Sequence, residues 1–255
     1  MSHPFVEALR PQKRNVSWTD WLRTQLSRLG IGGSTTPPLL HLFDYLPKQK
    51  HILITGLDAA GKSTLLRKYL SPNGDEGVVT HRPALGCLVE ETCHGNVYFY
   101  TLDLGGGRPR AVMNMEREII ADMDAVVWVL DSTDRDRLVE AKEEMARMIC
   151  GAAGLGRDKP VLLLANKQQV FTEKGDCVPA IEYSEAGNLF VHVLGDRRWY
   201  VEDTDLICGL GVWPAFVWLG DDVGNFGEER QPVEDWAKAV RTALHGAQKT
   251  GLVRC

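Results

Sequence analysis

No apolar run in this chain is long enough to cross a bilayer; the longest, such as Ala125 to Leu130, have the length of a strand. The first residues hold no basic stretch followed by an apolar core and a small-residue cleavage site, so a secretory signal is not expected. Six cysteines (Cys87, Cys93, Cys150, Cys177, Cys208 and Cys255) form no CxxC pair and no zinc-type spacing, and the seven histidines show no metal-ligand spacing either. Reduced thiols in the cytosol are therefore the expected state. With Cys255 as the last residue given, a C-a-a-X box for prenylation is not expected. A basic surface interleaved with aromatics is also missing, and the body is acidic, which argues against a nucleic-acid partner.

What is present has the balance of a soluble globular protein, with 44% hydrophobic and 25% charged residues. At 255 residues the chain has room for one large domain, or an ordinary domain with additions. Its formal charge of -5 is unevenly spread. Residues 1–50 carry seven Lys/Arg against three Asp/Glu, while the remainder carries 22 against 31. A basic arm ahead of an acidic body suits anionic lipid or an acidic partner, and equally suits a plain solvated tail.

The chain divides into an extension over residues 1–50 and a body over 51–255. In the extension, Trp18, Trp21, Leu22, Leu26 and Leu29 recur at helical spacing, with Ser17 as N-cap and Gly30 as stop. A linker rich in Gly, Ser, Thr and Pro follows, and then Leu39, Leu42, Phe43 and Leu46 make a second short apolar face. In the body, Ile52–Thr55, Ala125–Leu130 and Val161–Ala165 are continuous apolar runs, as in parallel strands covered on both faces. Leu65–Leu70, Arg135–Ile149 and Pro232–Leu244 read as helices. Two strand-like stretches between Leu88 and Leu102 flank His94-Gly95-Asn96, a hairpin signal. The pattern predicts an α/β fold, a doubly wound and mostly parallel sheet with helices on both faces. Residues 209–231 read as an insertion before the last helix.

One motif carries chemistry. Gly56-Leu57-Asp58-Ala59-Ala60-Gly61-Lys62-Ser63 fits GxxxxGK[ST], between a strand and a helical stretch that begins at Ser63-Thr64. Such a loop turns backbone N–H groups onto phosphate oxygens, brings a lysine to the β and γ phosphates, and offers a hydroxyl to magnesium. The helix behind it points its positive end at the same anion.

GLDAAGKST resembles the phosphate loop of Arf and Arf-like small GTPases. Further segments resemble that family in its order: Arg82-Pro83-Ala84-Leu85-Gly86 as the first switch, Asp103-Leu104-Gly105-Gly106 as the second, and Leu130-Asp131-Ser132-Thr133-Asp134-Arg135 at a strand end. Asn166-Lys167-Gln168 stands where the base-recognition motif belongs, and Arg198-Trp199-Tyr200 matches a late segment. The resemblance implies a P-loop NTPase fold that binds GTP or GDP with Mg2+. It implies that residues 56–64, Asp103, Gly106, Asn166, Lys167 and Gln169 contact the nucleotide. Ser63 and Asp103 would hold the metal, Asp103 through water. Partners would be protein effectors and exchange factors, in a cytoplasmic protein associated peripherally with intracellular membranes and vesicle-mediated transport.

Three positions depart from the family pattern. Where a threonine closes over magnesium, this chain has Ala84, which has no hydroxyl to offer. Where DxGGQ supplies a glutamine to orient the attacking water, it has Gly107, a direct loss for phosphoryl transfer. Where NKxD supplies an aspartate for two guanine N–H donors, it has Gln169, whose amide offers one oxygen and one NH2. The loop that touches the guanine carbonyl is unclear, with Thr204-Asp205-Leu206 as the nearest candidate.

Family members also carry an amphipathic helix before the first strand, where Leu39–Leu46 lies here. Ser2 stands in place of the glycine that accepts myristate. The amphipathic stretches either lie on a membrane or pack on the domain. The apolar group in 209–231 (Trp213, Phe216, Val217, Trp218, Leu219) is either a binding patch or a cover for that N-terminal segment. The reading that joins these facts is a nucleotide-dependent switch with weak or absent hydrolysis and no assigned catalytic residue. The alternative is a pseudo-GTPase interaction scaffold with little or no nucleotide binding.

Overall fold

In a computed structural model, residues 39–44, 46–71, 74–84, 87–104, 116, 118–150, 154–169 and 178–224 are described. The apolar runs become strands. β1 (Lys50–Thr55), β5 (Ala125–Asp131) and β6 (Val161–Asn166) lie in the middle of a seven-stranded sheet. β2 (Val79–Ala84), β3 (Cys87–His94), β4 (Val97–Leu104) and β7 (Trp199–Asp203) complete the order β2-β3-β4-β1-β5-β6-β7. The pairs from β4 through β1, β5 and β6 to β7 are parallel, and β2-β3 and β3-β4 are antiparallel. The predicted hairpin forms in register, with His94 opposite Val97 across the Gly95-Asn96 turn.

Because β1, β5 and β6 carry the continuous apolar runs Ile52–Ile54, Ala125–Leu130 and Val161–Ala165, they bury both faces. Leu53, Val126, Trp128 and Leu163 face one core, which is covered by α2 (Leu138–Ile149) and α3 (Tyr183–Leu194). Ile52, Ile54, Val127 and Leu164 face the other. That second core is covered by α1 (Lys62–Leu65), its continuation as a wider π turn over Leu66–Leu70, and α4 (Val212–Gly224). The α/β fold with helices on both faces is thus as expected.

Two boundaries differ from the sequence reading. Leu39–Phe43, assigned to the extension, forms a short 3-10 turn whose apolar side chains are buried in the second core. Phe43 meets Phe99 edge-on at 5.4 Å and Phe216 at 6.4 Å between ring centroids. Asn96 donates to the Leu46 carbonyl at 2.8 Å and His94 contacts Asp44 at 2.6 Å, tying this stretch to the β3-β4 turn. Residues 209–231, read as an insertion, supply α4, whose Val212, Ala215, Phe216 and Leu219 close the second core. The sheet face needs a helix there, and Pro214 sits in its first turn, where a missing N–H costs nothing. The helices expected over residues 17–29 and 232–244 lie outside the described residues.

Candidate nucleotide-binding site

β1 ends at Thr55 and its chain enters the glycine loop at the carboxyl edge of the sheet. Gly61 adopts φ +114°, and a Cβ there would stand 2.6 Å from Asn166 Nδ2. Gly56, at φ +140°, has no room for a Cβ against the Val129 carbonyl. Backbone conformation and close approach both require glycine at these two positions. Ala59 (φ 58°) and Lys167 (φ 68°), on opposite sides of the site, are held in the left-handed region without being glycine. Such conformations persist where surrounding structure over-determines them.

Lys62 is 6% exposed, and its ammonium donates to two carbonyls of its own loop, Gly56 at 3.1 Å and Leu57 at 2.8 Å. Burial holds its pKa below the usual lysine range, while the carboxylates of Asp103, Asp58 and Glu90 push the other way. A buried cation resting on neutral carbonyls is suited to an incoming anion. Asp58 Oδ1 pairs with Arg137 at 2.6 Å, and the hydrogen bond from Arg137 is the main reason its carboxyl lies below the ordinary range. That pair ties the loop to the stretch after β5.

Ser63 Oγ donates to Glu90 Oε2 at 2.9 Å, and Thr101 Oγ1 donates to the same oxygen at 3.2 Å. Arg67 pairs with the other oxygen of Glu90, a side chain only 2% exposed on β3. A hydroxyl that gives its proton to a carboxylate keeps its lone pairs for a cation. Asp103, on β4, is exposed and close enough to act on the charge of Lys62. Among the described residues no group of three or more His, Cys, Asp or Glu side chains forms a metal cage. This donor set fits magnesium, which binds through one or two protein oxygens, substrate phosphates and water.

Opposite the loop, the buried Asn166 side chain bridges two segments. Its Nδ2 donates to the Ala60 carbonyl at 2.7 Å and its Oδ1 accepts from Leu206 N at 3.1 Å. Lys167 Nζ pairs with Asp131 at 2.5 Å. Burial works against the Asp131 charge, but hydrogen bonds from Lys167 and Thr133 outweigh it and lower its pKa. Gln168 turns away from the site and donates to the Ile181 carbonyl at 2.6 Å. Gln169 Oε1 lies 3.7 Å from Cys208 Sγ, and its backbone N–H donates to Asp205 Oδ2 at 3.2 Å. A cavity of about 410 Å³ opens here, between Ala59, Gly61 and Thr64 on one side and Asn166, Lys167, Gln169 and residues 205–208 on the other.

The structure therefore brings together residues 56–64, Asp103, Asn166, Lys167 and Gln169. Gly106 and Gly107 lie outside the described residues, as does the side chain of Ala84, whose backbone ends β2. Sequence reasoning missed Glu90, Arg67 and Arg137, and gave Asp205 only a place in a candidate loop. The one available signal for Glu90 was an acid beside Val89 in an otherwise strand-like run.

A glycine loop joining a strand to a helix, a buried lysine on it, and an Asn-Lys loop across a cavity define a P-loop nucleotide-binding domain. The sequence model of the ADP-ribosylation factor (Arf) family matches residues 39–223, and the chain belongs to that family. Among solved structures it is similar to the Arl6 (BBS3) small GTPase of Trypanosoma brucei, whose structure holds the nucleotide analogue GppNp. The two share 25% identity and a TM-score of 0.51, over 69% of this chain and 98% of the other. The match begins at 39 and ends at 223, in keeping with the docked 3-10 turn and with α4 as the last helix of the matched region.

Proposed function

We propose that this Arf-family protein is a guanine-nucleotide switch that binds GTP and GDP with Mg2+, hydrolyses GTP weakly or not at all, and recruits protein effectors. The observation that carries the reading is Lys62, buried and resting on neutral carbonyls of the loop whose Ala59, Gly61 and Thr64 line a cavity of about 410 Å³. Ser63 and Asp103 would hold the metal, and Asn166 and Lys167 would brace the base. Gly106 would meet the γ-phosphate through its N–H. Gly107 leaves no side chain to orient a water, so the switch would be slow to turn itself off. Exchange factors, peripheral contact with intracellular membranes through the N-terminal segments, and a role in vesicle-mediated transport belong to the same reading.

The second reading is a scaffold that keeps the fold and binds little nucleotide, and the combined replacements at Ala84, Gly107 and Gln169 favour it. Thermal unfolding of nucleotide-stripped protein with magnesium and GTP, GDP, ATP or no nucleotide separates the two. At about 100 times Kd, a ligand that binds only the folded state adds roughly 2.7 kcal/mol. A shift with GTP and GDP is expected; no shift with any nucleotide would leave the scaffold.

A further inference from the structure

We propose that Asp205, on the loop between β7 and α4, supplies the charged acceptor that reads a guanine edge, in place of the carboxylate absent at position 169. The inference rests on the guanine-nucleotide reading above and names the residue that would give it base selectivity.

Asp205 and Gln169 stand side by side, since the Gln169 N–H donates to Asp205 Oδ2 at 3.2 Å. Both line the 410 Å³ cavity, and Asp205 is the one carboxylate among the described residues that do so. A carboxylate offers about four lone-pair positions. In Asp205, Oδ1 accepts from Ile207 N at 2.9 Å and Cys208 N at 3.1 Å, and among the described residues the one backbone donor to Oδ2 is Gln169 N. One position on Oδ2 is left for a ligand donor. Burial opposes the charge, but these three backbone donors, together with the Cys208 side chain, outweigh it and hold the carboxyl below its ordinary range. The Gln169 oxygen is directed at Cys208, on the loop that carries Asp205, so two acceptors converge on one side of the cavity.

Guanine presents two adjacent donors, N1–H and the 2-amino group, and two acceptors match them. An amide acting alone does not, because its NH2 meets the 2-amino group. That amide instead matches xanthine, whose 2-oxo group is an acceptor. The two arrangements therefore rank nucleotides in opposite order. With Asp205 as reader, GTP binds tighter than ITP, which lacks the 2-amino group, and ITP tighter than XTP, whose 2-oxo group faces a carboxylate. With Gln169 as sole reader, XTP binds at least as tightly as GTP.

The test is competition of GTP, ITP and XTP for the full chain, read by displacement of a fluorescent GTP analogue, for wild type, Asp205→Asn and Gln169→Ala. The expected wild-type order is GTP, ITP, XTP. Asp205→Asn should lower the GTP-to-XTP ratio by at least about tenfold, as for loss of one hydrogen bond to a charged group. Gln169→Ala should keep GTP ahead of XTP. If Asp205→Asn fails to fold, the wild-type order and Gln169→Ala decide the matter. A wild type that prefers XTP, an Asp205→Asn protein with unchanged ratio, or a Gln169→Ala protein that loses the preference overturns the assignment while leaving nucleotide binding intact. A wild type that displaces nothing and shows no nucleotide-dependent unfolding shift overturns the guanine-switch reading itself.

Discussion

Lys62 shows how one side chain can cost stability and serve binding together. Its folded-state pKa lies below that of an exposed lysine because burial penalises the charge. A lysine lowered in this way weakens the folded state at neutral pH, and that cost fades as pH rises from the folded-state pKa toward 10.5. Replacing the ammonium with an apolar chain of similar length removes the cost. Lys62→Met is therefore expected to unfold at the same or higher temperature than wild type without nucleotide at pH 7, and to lose the GTP-dependent shift. Differential scanning calorimetry with and without GTP reads both; a variant less stable than wild type without nucleotide contradicts this account. The motif made Lys62 legible from sequence. Glu90 was not legible, because its partners Ser63, Arg67 and Thr101 come from the helix after the loop and from β4, distant in sequence.

At the scale of elements, the middle of the sheet was readable because parallel strands covered on both faces are apolar at every position. β2 and α3 were not singled out. His81 and Arg82 interrupt the apolar pattern of β2, and it becomes a strand by pairing at the sheet edge with β3. α4 shows no helical period in the sequence for the opposite reason, since Val212 to Leu219 is apolar nearly all round and lacks a polar stripe. Its neighbours settle it: Phe216 meets Phe43 over the second face of the sheet. Phe43, 1% exposed, joins the 3-10 turn to β4 and α4, so Phe43→Ala should destabilise the protein by about 3–5 kcal/mol. Urea unfolding of the full chain measures it. A loss below about 1 kcal/mol would mean that the turn is not docked in solution.

For the whole molecule, the proposed function separates binding from turnover. The glycine loop, the end of β6 and the β7-α4 loop, which the proposed function assigns to phosphate and base, converge on one cavity. At the position that orients water in the family, this chain has Gly107. Single-turnover assays of GTP-loaded protein should therefore show hydrolysis near the uncatalysed rate. Gly107→Gln should raise it by on the order of 10- to 100-fold, the range a positioning contact supplies. No increase would place the deficit at Ala84, where closure over the metal lacks a hydroxyl.

The phosphate loop, the buried strands and the three replacements at Ala84, Gly107 and Gln169 are legible in residue order alone, because each is a local matter of residue type and spacing. Which carboxylates face the site and which helix closes the sheet depend on how distant segments pack. Glu90, Asp205 and α4 acquire their roles from contacts between segments far apart in the chain. Spacing along one strand or one loop carries no record of such contacts.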